Sequence, residues 1–155
     1  MMYVECKPDF LLAHSVTNLP KRQIEHELKG KYEVCKRVSA RRDCKGMVDE
    51  DPTSPQPVYL TRLDLSEEIP EHGLKAFSDP RRNNLIVLLC PKLEDWILRA
   101  ATEARLDVDG YGLPNRPSAL HRVINVDLRK FDRLLADLID AGTARMRELR
   151  RLLER

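Results

Sequence analysis

Aromatic residues make up only 5% of this 155-residue sequence, and glycine occurs six times. Few flat rings means little provision for gripping nucleic-acid bases by stacking. No apolar run exceeds the six residues Leu85 to Cys90, far short of the ~18 needed to span a bilayer. The first residues, Met1-Met2-Tyr3-Val4-Glu5, show no basic segment leading into an apolar core, so no secretory signal and a cytoplasmic setting are expected. The four cysteines (Cys6, Cys35, Cys44, Cys90) form no C-x-x-C pair, which removes the common zinc pattern. Cys6, His14 and Cys35 remain as a scattered alternative to four reduced structural thiols. No G-x-x-x-x-G-K-[ST] or G-x-G-x-x-G loop signals a nucleotide site. Net charge is small, with 27 basic against 25 acidic side chains, so a polycation that coats nucleic acid is excluded.

What is present is a polar, globular composition, 34% charged and 42% hydrophobic, at the length of one domain. Met2 to Cys6 predicts a strand, closed by Pro8, and Phe10 to His14 a short helix. Leu19, Ile24 and Leu28 predict a helix starting at Pro20. Tyr32 to Val38 alternates as a second strand, Met47 to Asp49 predicts a third, and Val58 to Leu60 a short edge strand. Residues 61 to 82 carry no clear period beyond one helical turn at 70 to 75. Leu85 to Cys90 is apolar throughout, the pattern of a strand covered on both faces. Lys92 to Arg105 and three stretches between Ser118 and the C-terminus have helical spacing. The expected architecture is α/β, a mostly parallel sheet of about four strands flanked by helices. Residues 1–105 form the core and 106–155 a helical extension packed on the same domain. The Met146, Leu149, Leu152 and Leu153 stripe of the last helix lies opposite Arg145, Arg147, Arg150, Arg151 and Arg155. It serves either the core or a homodimer contact.

Two acidic features fall at predicted strand ends, Glu5 after the first and Asp49-Glu50-Asp51 after the third. Sites in open α/β sheets form outside the carboxyl ends of strands. Carboxylates converging there repel one another unless a cation sits among them, and Mg²⁺ or Mn²⁺ prefers such oxygen donors. Upstream, residues 20 to 45 hold nine Lys or Arg against four acids. Arg37, Arg41, Arg42 and Lys45 are expected to flank the crevice and hold phosphates.

Val4-Glu5-Cys6-Lys7-Pro8-Asp9-Phe10-Leu11 resembles the opening signature of the Toprim domain, a strand ending in Val-Glu-Gly, two variable residues, then Asp and a helix. Met47-Val48-Asp49-Glu50-Asp51 resembles that family's Asp-x-Asp strand. Leu88 to Leu98, with Pro91, Glu94 and Trp96, is similar to a segment of stand-alone Toprim-like proteins, some linked to phage defence. Cys6 stands where the family has glycine. The resemblance covers roughly residues 2 to 100. It implies a four-stranded parallel sheet between helices, Glu5 as general acid/base or metal ligand, and Asp49 and Asp51 as Mg²⁺ ligands. It points to Glu94 as a further acid. The activity it implies is metal-dependent cleavage of DNA or RNA phosphodiesters. The alternative is a non-catalytic Toprim-like module that binds a protein partner such as an ATPase subunit. No membrane association is expected.

Overall fold

In the computed structural model, which describes residues 1–155, Met2–Val4 form β1, and every side chain of it is buried. Pro8 does not close that strand. It sits in the first turn of helix α1, Lys7–Thr17, where a missing N–H costs nothing. Cys6 before it takes an extended φ of −151°, so the glycine of the resembled motif is not required at this turn.

The helix expected from Pro20 is instead a 3₁₀ turn at Lys21–Gln23 leading into the short strand β2, Ile24–Glu25. The strand expected over Tyr32 to Val38 is helix α2, Lys31–Ser39. Val34, Cys35 and Val38 form its buried stripe at helical spacing, and the apparent alternation came from the intervening charges. β3, Lys45–Asp49, lies where a third strand was predicted. Val58–Thr61 is one turn of helix, α3, launched by Pro57, rather than an edge strand. The stretch without period, 61 to 82, supplies β4 (Asp64–Ile69) and β5 (Leu74–Asp79), joined by a 3₁₀ turn at Pro70–His72. β4 is largely exposed, so no hydrophobic alternation marked it. β6 is Asn84–Leu89. Helices α4 (Leu93–Glu103), α5 (Pro117–Ile124), α6 (Arg129–Ala141) and α7 (Ala144–Glu154) follow, as the apolar spacing predicted.

The sheet has six strands in the order β2-β1-β3-β6-β5-β4, not about four. β2, β1, β3 and β6 are parallel neighbours, while β5 and β4 add an antiparallel edge. Met2, Val4, Met47, Val87 and Leu89 point to one face, where α1, α4, α6 and α7 cover them. Tyr3, Val48, Ile86 and Leu88 point to the other, beneath α2 and α3. Alternate β6 residues thus enter opposite cores, which explains its unbroken apolar sequence. The C-terminal helices share the first core with the strands: Phe131, Leu134, Leu149 and Leu152 are fully buried in it. The α7 stripe is consumed there and offers no surface for a second copy. Arg145 does not lie opposite that stripe. It is buried, 5.2 Å over the Trp96 ring, with Nε donating to Glu103 at 2.9 Å. No helix is long and apolar enough to cross a membrane.

Gly46 sets how closely α2 approaches the sheet. A Cβ there would stand 2.8 Å from Ile86 Cδ1 and 3.1 Å from Val34 Cγ1. Gly46→Ala is therefore expected to lower stability by about 1–3 kcal/mol through overpacking. Urea unfolding would read this as a lower midpoint at unchanged slope; an unchanged midpoint would show that α2 yields freely.

Candidate functional site

The chain leaves β1 through α1 for β2 on one side, then returns through α2 to β3 on the other. α1 and α2 lie on opposite faces of the sheet. The carboxyl ends of β1 and β3 therefore meet at the point where strand order reverses, the place where open α/β sheets leave a crevice. Glu5 immediately follows β1 and Asp49 ends β3. Parallel pairing of Val4 with Met47 brings them side by side, and the Asp49 N–H donates to Glu5 Oε1 at 3.4 Å.

Two helix N-termini add to this crevice. Asp49 Oδ1 accepts from the Leu93 N–H of the first turn of α4 at 2.9 Å. That bond uses an otherwise unpaired helix-terminal donor, and the positive end of the helix dipole favours the charge. Glu94, one residue on, is buried, and its Oε1 lies 2.6 Å from His121 Nδ1 of α5. Asp9, in the first turn of α1, is buried and accepts from the Cys6 thiol at 2.9 Å. Asp51 lies past the strand with a left-handed φ of 44°, held by the Ser54 hydroxyl at 2.7 Å and by Lys92 at 3.7 Å. Asp49, Asp51, Glu94, Lys92 and His121 line one open cleft of about 860 Å³. Glu5 is not on its wall and joins it through Asp49. Glu50, between the two aspartates, pairs with Lys75 at 2.6 Å.

The electrostatics mark the cluster as crowded. Burial, then the nearby Glu5 and Glu94 carboxylates, push Asp49 up to about 7. Burial raises Glu5 as well, against the Asp49 N–H and Lys31, which lower it. Asp9 is pushed well above the carboxylate range by burial and by Asp49 and Glu5. Lys31, at the start of α2, is itself lowered by burial and donates its ammonium to the Glu50 carbonyl at 2.6 Å.

The donors in this crevice are mostly carboxylate oxygens, which match a hard divalent cation in kind. No three His, Cys, Asp or Glu side chains converge in a ligating group. Mg²⁺ keeps several waters and commonly takes only one or two carboxylates, so Asp49 with a neighbour suffices in number. The scattered Cys6, His14 and Cys35 alternative does not assemble. Cys35 belongs to the opposite core, and His14 stacks on Phe10 with Nδ1 against the Leu19 carbonyl at 2.8 Å.

The four basic residues expected at this rim are elsewhere. Lys45 begins β3 and Asp49 ends it, which separates them by about 13 Å along the strand. Lys45 donates to the Leu153 carbonyl at 2.8 Å, and Arg37 pairs with Glu25 at 2.8 Å. Arg41 lies 5.8 Å over the Tyr3 ring, and Arg42 is exposed on the turn before β3. Lys31 and Lys92 are cations beside the acids, and Arg122 lines the same cleft as Lys92. The two lysines, with Asp9 and His121, are site residues that sequence reasoning missed. Asp9 stood in the quoted motif without a role, and Lys92 was the first residue of a predicted helix. Nothing local marked Lys31 or His121.

Comparison of the chain with protein-family models, curated proteins and solved structures returns no match.

Asp49 titrates near 3.8 when exposed and near 7 when folded, so ionising it opposes folding. The penalty is absent below about pH 4, grows between 4 and 7, and is complete above 7. In chelator-treated protein at pH 8, Asp49→Asn is expected to be more stable than the parent by on the order of 2–4 kcal/mol. The gap should close near pH 4. Parallel stability curves across this pH range would refute the crowding.

Proposed function

We propose that the protein is a Toprim-like, Mg²⁺- or Mn²⁺-dependent hydrolase of nucleic-acid phosphodiesters. The observation that carries this reading is the pairing of Glu5 with Asp49 at the strand-order reversal, where Asp49 opens onto the cleft shared by Asp51 and Glu94.

Asp49, with one neighbour from Asp51 or Glu94, would hold the cation, and water would complete its shell. When bound, the cation neutralises charge on phosphoryl oxygens and lowers the pKa of a bound water. The protein's own groups divide the remaining work. The Leu93 N–H fixes one Asp49 oxygen and leaves the other free to face a ligand. Glu5, raised by burial, is suited to take a proton from water or return one to a leaving oxygen. Lys92, exposed on the cleft wall beside Asp51, supplies a phosphate contact. Lys31 limits repulsion among the acids from behind.

A second reading draws on the absence of three converging ligand side chains. In it, the same fold is a non-catalytic module whose surface binds a protein partner such as an ATPase subunit.

Labelled DNA and RNA, single- and double-stranded, incubated with Mg²⁺ or Mn²⁺ should be cleaved, and EDTA should abolish cleavage. Asp49→Ala is expected to reduce the rate by about 100-fold or more. No metal-dependent cleavage, or equal cleavage by the variant, would favour the binding module. Independently, millimolar Mn²⁺ should raise the melting temperature of the parent protein by mass action and leave Asp49→Ala unmoved. An equal shift in both proteins would place the cation elsewhere.

A further inference from the structure

The amino ends of the parallel strands, opposite the acidic crevice, carry a second organised charge cluster. Arg41-Arg42 stand on the turn entering β3, and Arg81-Arg82 on the turn between β5 and β6. All four side chains are exposed. The two turns are stitched together. The Asp43 N–H donates to the Arg82 carbonyl at 2.9 Å, and Asn83 Nδ2 donates to Asp43 Oδ1 at 2.8 Å. Asp43 and Asn83 both adopt left-handed φ values, 56° and 55°, which turn the chain sharply at each doublet.

Beneath them Asn84 is buried and fully engaged. Its Oδ1 accepts from the Cys44 N–H at 2.9 Å, and its Nδ2 donates to the Val38 and Arg41 carbonyls at 2.9 and 3.0 Å. One side chain thus ties the Arg41 backbone to the start of β6. The doublets are held in place before any ligand arrives, which reduces the ordering cost of binding.

Arg81, Arg82 and Arg62 line an open cleft of about 750 Å³. Arg41, Arg42, Arg62 and Arg81 belong to no ion pair. The acids on the two turns and the cleft wall are Asp43, Asp64 and Asp79. Asp79 is spent on the Tyr59 hydroxyl, the Arg81 N–H and Arg82, and Asp43 on Asn83. Only Asp64 on the cleft wall is unengaged. The apolar lining is confined to Tyr59 and Leu63, so no broad flat wall exists for stacked bases.

We infer that this arginine platform binds the phosphate backbone of a nucleic-acid duplex, independently of base sequence. Guanidinium forks match phosphate oxygens in pairs, and backbone contacts require no stacking surface. The identity of the polyanion rests on the nucleic-acid reading above; the location does not. The platform occupies the end of the sheet away from the acids, so it would anchor a duplex without crowding the metal crevice. It also accounts for Arg41 and Arg42, which the crevice does not use.

Fluorescence anisotropy of a short labelled DNA duplex in EDTA tests this without cleavage. The fourfold variant Arg41→Ala, Arg42→Ala, Arg81→Ala, Arg82→Ala should bind at least about 10-fold more weakly. The slope of log K against log salt should shrink by about 3.6, since each of the four phosphate contacts contributes about 0.9. A charge-matched control, Lys21→Ala, Arg22→Ala, Arg105→Ala, Arg133→Ala, should bind as the parent does. The two doublets are also replaced separately, so a folding failure of the fourfold variant leaves the test intact. No duplex binding by the parent, equal loss in the control, or equally tight binding of a poly-glutamate peptide would overturn the inference. Cleavage without this binding would refute the platform alone, and binding without cleavage would refute only the hydrolase reading.

Discussion

Parallel pairing of β1 with β3 is the constraint on which the candidate site depends. Val4 opposite Met47 puts Glu5 one residue and Asp49 two residues beyond that pair, where the apolar part of each strand ends. Neither carboxylate could be set at this depth by a surface loop. Glu5 directly follows the wholly buried β1, and Asp49 directly follows the buried Gly46, Met47 and Val48 of β3. A shift of one residue in a strand would exchange its two faces, so the hydrophobic pattern itself defends the register. The carboxylates are held close although they repel each other, and packing rather than mutual attraction keeps them there.

That arrangement stores an electrostatic conflict. Asp49, Glu5 and Asp9 are all raised by burial first. Neighbouring carboxylates add to this: Glu5 and Glu94 on Asp49, Asp49 and Glu5 on Asp9, and more weakly Asp51 and Glu94 on Glu5. The available compensation is modest: the Leu93 N–H at the start of α4, the Cys6 thiol, and a half-buried Lys31. A cluster of this kind is a cost in an otherwise apolar core, and perturbed groups concentrate where chemistry is done. The opposite end of the sheet is organised by the reverse rule. There the backbone is pinned by one neutral, fully hydrogen-bonded side chain, Asn84, while the four arginine side chains are exposed and only Arg82 is ion-paired. Acids are buried at the carboxyl ends and arginines exposed at the amino ends, and β3 runs from one to the other.

Several elements were legible because their signals are local. Leu85 to Cys90 reads as a doubly covered strand because nothing in it is polar. The spacing of Phe131, Leu134, Leu135 and Leu138 reads as one helical face, and all four are buried. Glu5 and Asp49 were legible as strand-end acids because β1 and β3 are short and apolar up to those residues. The errors have equally specific causes. α2 has charged residues between its apolar ones, and over seven residues the helical and strand periods overlap. β4 is a polar edge strand, paired on one side only, so no buried face imposed alternation on it. Lys31 and His121 reach the acids from helices distant in sequence, and no local pattern encodes that contact.

The amino-acid order alone settled which segments are apolar, which are helical toward the C-terminus, and which acids close strands. Those properties depend on neighbours a few residues away. Tertiary structure decided which end of the sheet each charge occupies. Arg41, Arg42 and Lys45 precede Asp49 by only a few residues, yet an extended strand carries its two ends to opposite sides of the molecule. A basic stretch that runs into an acidic one along the chain therefore becomes two separate surfaces. Strand geometry made that division, and residue order alone could not reveal it.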